Sequence, residues 1–129
     1  MKKFYVASSF SNVEKVREVS KRLINKGFIH TYDWTKNEKA SSIEELKKIG
    51  QLEKNAVMDA DFVIVLLPAG KSSHIELGIA LGQGKTIFLN SPSVDIRDFE
   101  TTSTFYQLPE VIKCNGTIDE LVDMLTNEN

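Results

Sequence analysis

Six consecutive apolar residues, Phe62-Val63-Ile64-Val65-Leu66-Leu67, constrain the fold of this chain more than any other stretch. A run this short, centred on β-branched side chains, reads as a strand covered on both faces. Pro68 stops it. The polar loop Ala69-Gly70-Lys71-Ser72-Ser73 follows, and a helix then carries His74-Ile75-Glu76-Leu77-Gly78-Ile79-Ala80-Leu81-Gly82. Ser73 is the expected cap, which puts Glu76 in the first turn. A buried strand, a polar loop and a helix start form the arrangement in which α/β sheets hold ligands.

The rest of the chain falls into line around that unit. Lys3 to Ser8 reads as a short apolar strand. Ser11-Asn12-Val13-Glu14 has capping-box spacing and opens a helix with Val13, Val16, Val19, Leu23 and Ile24 on one face. Gly27 suits the left-handed stop after it. Phe28 to Tyr32 is a second strand, delivering Asp33, Trp34 and Thr35 to its carboxyl end. Ser42-Ile43-Glu44-Glu45 is another capping box, for a helix through Leu46, Ile49, Leu52, Ala56 and Val57. Thr86 to Leu89 and Val111 to Cys114 are further strands. Thr117-Ile118-Asp119-Glu120 caps a last helix containing Leu121, Met124 and Leu125. Asn90 to Pro109 is long and polar, and a loop of that length is usually functional or partly helical.

Strands alternating with helices imply a parallel sheet with helices on both faces. Five strands suggest an α/β three-layer sandwich of the flavodoxin-like kind, order 2-1-3-4-5. The first and third strands are then neighbours. The crevice at their carboxyl ends lies between Ser8-Ser9-Phe10 and Gly70 to Glu76. At 129 residues the chain suffices for one domain, taken as 1–129. A net charge of −2 leaves no basic footprint for a nucleic-acid polymer. The one cysteine, Cys114, makes no intrachain disulfide and reads as a small buried hydrophobe. No His, Cys and carboxylate spacing suggests a metal. No run approaches membrane-spanning length and no signal-peptide pattern precedes the first strand, so a cytoplasmic protein is expected.

Glu76 is the leading candidate for chemistry, and it has two readings. As a cap, Ser73-x-x-Glu76 repeats the pattern of the other helix starts. As a functional group, it sits at the topological switch point, where the positive end of a helix would hold it ionised and ready to attack an anomeric carbon. Tyr5, inside the first strand, can orient it or simply pack in the core. Ser8 and Ser9 can meet a sugar or phosphate or satisfy their own loop. Trp34 can stack on a base or pack on its loop. His74 reads as a surface residue at the helix start, and His30 as a strand position without a partner. Glu53, Asp59 and Asp61 have surface or structural roles by default.

The segment from Asp61 to Gly84, with Glu-Leu-Gly-x-Ala-x-x-x-Gly-Lys running from Glu76 to Lys85, resembles the nucleoside 2-deoxyribosyltransferase superfamily. The N-terminal Phe-Tyr-Val-Ala-Ser-Ser-Phe is similar as well. The resemblance implies a flavodoxin-like domain, dimeric or larger, that cleaves N-glycosidic bonds of deoxynucleosides or their 5′-monophosphates without a cofactor. It implies Glu76 as nucleophile, Tyr5 as its positioning partner, and Ser8, Ser9 and Phe10 on the sugar and base side. It puts the leaving-group carboxylate at Glu53, where family members often have Asp. Enzymes acting on free nucleosides usually carry an acidic residue in the loop before the nucleophile. Here the loop is Gly70-Lys71-Ser72-Ser73, which suits a phosphate.

The expectation is therefore an N-glycosidase or deoxyribosyltransferase in which Glu76, Tyr5 and Glu53 act. Ser8, Ser9, Phe10, Asp33, Trp34, Gly70, Lys71, Ser72 and Ser73 would bind the substrate. A homodimer or higher homo-oligomer is expected, with residues 90–109 completing a neighbour's site. TIR domains share the layout, and some cleave NAD with a helix-start Glu. That activity, or a nucleotide sensor without turnover, is the alternative.

Overall fold

A computed structural model describes residues 2–91, 97–99 and 102–128. Its centre is a five-stranded sheet in the order β2-β1-β3-β4-β5, every pairing parallel. The strands are β1 (Lys3–Ala7), β2 (Ile29–His30), β3 (Phe62–Leu66), β4 (Thr86–Asn90) and β5 (Val111–Cys114). The helices are α1 (Val13–Asn25), α2 (Ile43–Asp59), α3 (Lys71–Gly82) and α4 (Ile118–Glu128). Helices α1 and α4 pack together, as do α2 and α3, giving the three-layer α/β sandwich read from the sequence.

All five residues of β3 are buried, as its continuous apolar run requires. Strand β1 pairs beside it with Tyr5 opposite Val63 and Ala7 opposite Val65. Aromatic rings fill one layer: Phe4 stacks on His30, and Phe62 meets Phe4, Phe28 and Phe88. Asp61 accepts from the Lys3 backbone N–H and Asp59 pairs with the Lys3 ammonium, both at the amino edge of the sheet. Cys114 is a buried free thiol at the end of β5. Gly27 takes the left-handed conformation expected of it (φ 96°).

Several element boundaries differ from the sequence reading, each for a local reason. Strand β2 is only two residues long, because it is an edge strand whose chain turns off into a 3-10 turn at Trp34–Lys36. Ser11 does not cap α1: a 3-10 turn over Phe10–Asn12 comes first, Ser11 Oγ bonds Ser9 Oγ, and Glu14 pairs with Arg17. Ser42 does cap α2, but the Glu45 carboxylate reaches Ser41 rather than Ser42. Thr117 and Glu120 form the full reciprocal box. In the long segment, Asn90 belongs to β4 and Thr104–Gln107 forms a 3-10 turn. The remainder of that expectation, at residues 92–96, 100 and 101, lies outside the described residues. Among the described residues no helix is long and apolar enough to cross a membrane.

Candidate active site

The start of α3 corrects the sequence reading in a way that matters for chemistry. Gly70, not Ser73, is the N-cap, so α3 begins at Lys71 and Ser73 is its third residue. The Ser73 hydroxyl turns back to Gly70, accepting from its N–H at 2.6 Å and lying 3.0 Å from its carbonyl oxygen. Glu76 therefore falls in the second turn and takes no part in capping. Ser73, Glu76, Leu77 and Ala80 are the buried residues of the helix, spaced i, i+3, i+4, i+7 along one face. A carboxylate stands in the middle of the stripe that packs on the sheet.

Glu76 is 6% exposed. Its Oε2 accepts a hydrogen bond of 2.8 Å from the hydroxyl of Tyr5, which is fully buried in β1. Burial pushes the Glu76 carboxyl up to about 7; the Tyr5 hydrogen bond acts against this, and the charge of Glu53 adds to it. The dipole argument from the sequence is overturned here, because the residue is a turn too far along the helix and desolvation outweighs the helix end. Tyr5 is held well above the usual phenol range by burial and by the neighbouring carboxylate, so it stays a neutral donor. Glu53, half-buried on α2, is also raised by burial.

Above this pair opens a cleft of about 790 Å³. That is ample for a nucleotide-sized molecule. The structure brings together Ser8, Ser9 and Phe10 from the end of β1, Trp34 from the loop after β2, Glu53 from α2, and Gly70 to Ser73 with Glu76 from α3. Asp33 is not among the lining residues. Its carboxylate caps the Trp34 turn instead, accepting from the Thr35 N–H and hydroxyl.

Several expected binders are occupied by their own scaffold. Ser8 Oγ donates to the Leu66 carbonyl at 2.7 Å and Ser9 Oγ to the Pro68 carbonyl at 3.0 Å, joining the two crevice walls. Trp34 is buried, and its indole N–H donates to the Val6 carbonyl. The ring free to lie against a base is Phe10, 72% exposed and set edge-on to Trp34. By contrast, the backbone N–H groups of Lys71, Ser72 and Ser73 have no partner among the described residues. They are the unsatisfied donors of a helix start, and with Lys71 they favour an anion there.

The sequence reading missed the outer wall. Asn37, Glu38, Lys39 and Ala40 also line the cleft, as do Leu46 and Ile49 from the first half of α2. Only Ala56 and Val57 of α2 are buried. Its apolar stripe continues past the sheet with cleft rather than core beneath it. The clue in the sequence is that stripe, which is longer than the strands it would have to cover.

No protein-family profile matches the sequence, and no curated protein matches it in sequence. Solved structures do match in shape. The CMP N-glycosidase BcmB of Clostridium botulinum superimposes with a TM-score of 0.59 at 21% identity, over 98% of this chain and 99% of that one. A conserved protein of Enterococcus faecalis superimposes with a TM-score of 0.71 at 12% identity, over 100% and 99%. At these identities the likeness is one of fold.

Proposed function

We propose that the chain cleaves the N-glycosidic bond of a small nucleoside or nucleoside 5′-monophosphate, by hydrolysis or by 2-deoxyribosyl transfer, with Glu76 as the nucleophile. One observation carries the reading: a buried carboxylate on the cleft floor, held by a buried tyrosine hydroxyl 2.8 Å away. Among the described residues no cation pairs with Glu76. The N-glycosidase that shares the fold supports a nucleotide as substrate.

The chemistry follows from the two carboxyls. Ionised Glu76 attacks the anomeric carbon, and the electron pair of the breaking C–N bond leaves with the base. The Glu53 carboxyl gives the base its proton. Its neutral form also lifts the repulsion that raises Glu76, so one proton shared by the pair sits where each step needs it. Water, or a ring nitrogen of a second base, then breaks the glycosyl ester. Glu53 takes the proton and Glu76 leaves as carboxylate. Tyr5 holds the attacking group, Phe10 lies against the base, and Lys71 with the free N–H groups of α3 holds a 5′-phosphate.

The site works within a homodimer in this reading. Ile75 is 60% exposed on the outer face of α3, and Gly78 and Gly82 are exposed beside it. A Cβ at either glycine would meet nothing of this chain within 4 Å. Gly78, in the interior of α3, nevertheless costs the helix about 1 kcal/mol relative to alanine. Lys71 begins the same stripe, but beyond it the stripe is Ile75, Gly78 and Gly82, and under two-fold symmetry that uncharged part packs on its own copy.

The test is a chromatographic screen of wild type and Glu76→Ala with deoxynucleosides, their 5′-monophosphates and NAD, with and without a free acceptor base. Base released by wild type alone supports the reading, and a new nucleoside makes the enzyme a transferase. Nicotinamide release places the chain with the NAD-cleaving enzymes. Tight binding without turnover makes it a sensor.

A further inference from the structure

A second recess lies behind the turn that carries Trp34. It is a groove of about 350 Å³ between α1 and the chain that follows β2. Trp34 lines the large cleft, while Asp33, Thr35 and Lys36 beside it line the groove. The two recesses have no lining residue in common.

Two polar atoms of the groove's lining residues are left unsatisfied. Ser20 is 5% exposed on the buried face of α1, and its hydroxyl has no hydrogen-bond partner among the described residues. His30 Nε2 is buried and has none either. A buried polar group without a partner is costly, and folded chains hold few of them. The usual resort of a helical serine is the carbonyl one turn back, and Ser20 does not take it. The His30 ring is held in place, flat against that of Phe4, with 4.6 Å between centroids and 3° between planes.

What these residues can offer a ligand is mostly hydrogen. The Ser20 hydroxyl can donate. Burial keeps the His30 pKa below its ordinary value, so at pH 7 the ring is neutral and carries one N–H, which can stand on Nε2. Lys21 and Lys36 are exposed in the same lining, and neither pairs with a carboxylate among the described residues. Arg17 is committed to Glu14 and Thr35. The one acid in the lining is Asp33, and its Oδ1 is taken by the Thr35 N–H and hydroxyl. Two buried donors beside two unpaired ammonium groups suit a ligand that accepts hydrogen bonds and carries negative charge.

We propose that the groove between α1 and the Trp34 turn binds a small oxyanion, a phosphate or a carboxylate, which accepts from Ser20 Oγ, His30 Nε2 and the ammonium groups of Lys21 and Lys36. The site is separate from the cleft and does not rest on the glycosidase reading.

Inorganic phosphate and acetate are each titrated into wild type while the His30 imidazole and the Ser20 amide are followed by NMR. The titrations are repeated on Ser20→Ala, on His30→Phe and on the double variant Lys21→Gln/Lys36→Gln. Phenylalanine keeps the stack on Phe4 and removes the nitrogen. At least one anion should shift both wild-type signals to saturation, and the tighter of the two gives the geometry of the ligand. Ser20→Ala and His30→Phe should each weaken binding by roughly three- to tenfold. The lysine variant should weaken it by roughly tenfold, and that difference should fade as salt is raised. Without ligand, Ser20→Ala should melt no lower than wild type, because its hydroxyl has no bond to lose. With the anion, wild type should gain more in thermal midpoint than the variant.

No shift at His30 and Ser20 with either anion overturns the proposal, as does equal affinity in wild type and all three variants. Shifts confined to the amides of Lys71, Ser72 and Ser73 overturn it too, since the anion then takes the cleft alone. A lower midpoint for ligand-free Ser20→Ala also counts against it, because the hydroxyl would then have a partner within the chain.

Discussion

The Tyr5 hydroxyl donates to Glu76 Oε2 across 2.8 Å, joining the first strand to the third helix over 71 positions of sequence. The contact has one geometry available. Pairing of β1 beside β3 puts Tyr5 opposite Val63, under the face where α3 lies, and the helical spacing turns Glu76 down toward it. Both partners are buried, so neither can exchange the other for water. An acceptor whose proton affinity is raised meets a donor that does not ionise.

Tyr5→Phe removes that donor and leaves a carboxylate oxygen buried without a partner. The Tyr5 bond is the influence that lowers the Glu76 pKa, so its loss carries the carboxyl above about 7. Base release at pH 7 should fall by roughly ten- to a hundredfold, with part of it recovered as the pH is raised. A pH–rate profile of wild type and variant checks this. A parallel drop at every pH would mean that the hydroxyl does something other than hold the ionised form.

Glu76→Gln tests the cost of keeping a carboxylate in that place. The folded-state pKa of about 7 lies above the ordinary 4.5, so between these values the folded chain holds a proton that the unfolded chain has released. Stability from this group is full below pH 4.5 and is lost as pH rises through 7. The loss is on the order of 3 kcal/mol at pH 8. The glutamine variant keeps the shape without the charge. It should be inactive, no more stable than wild type at pH 4, and more stable at pH 8, as read by urea unfolding at the two pH values.

Much of this was legible beforehand, for reasons that differ from residue to residue. The run from Phe62 to Leu67 gave a buried strand because nothing else accommodates six apolar residues before a proline. The parallel order followed from alternation of strands and helices. The start of α3 was misread because Ser73-x-x-Glu76 has capping-box spacing, and spacing does not show which way a serine turns. Here Ser73 turns back to Gly70 as the third helical residue. The cue that would have decided it is periodic: Ser73, Glu76, Leu77 and Ala80 share one face, and that face is covered. Asp33 was misplaced because the side chain that caps a 3-10 turn points along its own backbone. The link from His74 to Tyr106 spans 32 positions and leaves no mark in any local pattern.

Glu53→Gln separates two effects of one carboxyl. In this variant position 53 carries no charge at any pH, so the repulsion it adds to the effect of burial is gone. Glu76 then titrates as it does beside neutral Glu53, with the acidic limb of the activity profile unmoved. The proton for the departing base is gone as well. Turnover of an ordinary nucleotide should fall by roughly a hundredfold. A substrate whose leaving group departs without protonation should be nearly spared. If both substrates lose activity equally, Glu53 acts on the structure of α2 rather than on the leaving group.

Gly78→Lys distinguishes a covered α3 face from a free one, because the two cases give opposite signs. In an isolated chain a Cβ at Gly78 meets nothing within 4 Å, and replacing glycine in an exposed helix should stabilise the fold by about 0.5–1 kcal/mol. In a dimer packed across that face, the lysine would place a long charged side chain opposite its own copy at the point where Gly78 has no side chain at all. Sedimentation equilibrium should then show a dimer for wild type and a monomer for the variant. The thermal midpoint of wild type should climb with protein concentration, while that of the variant should not. A monomeric wild type and a more stable variant would leave the face open to solvent and place the role of the two glycines elsewhere.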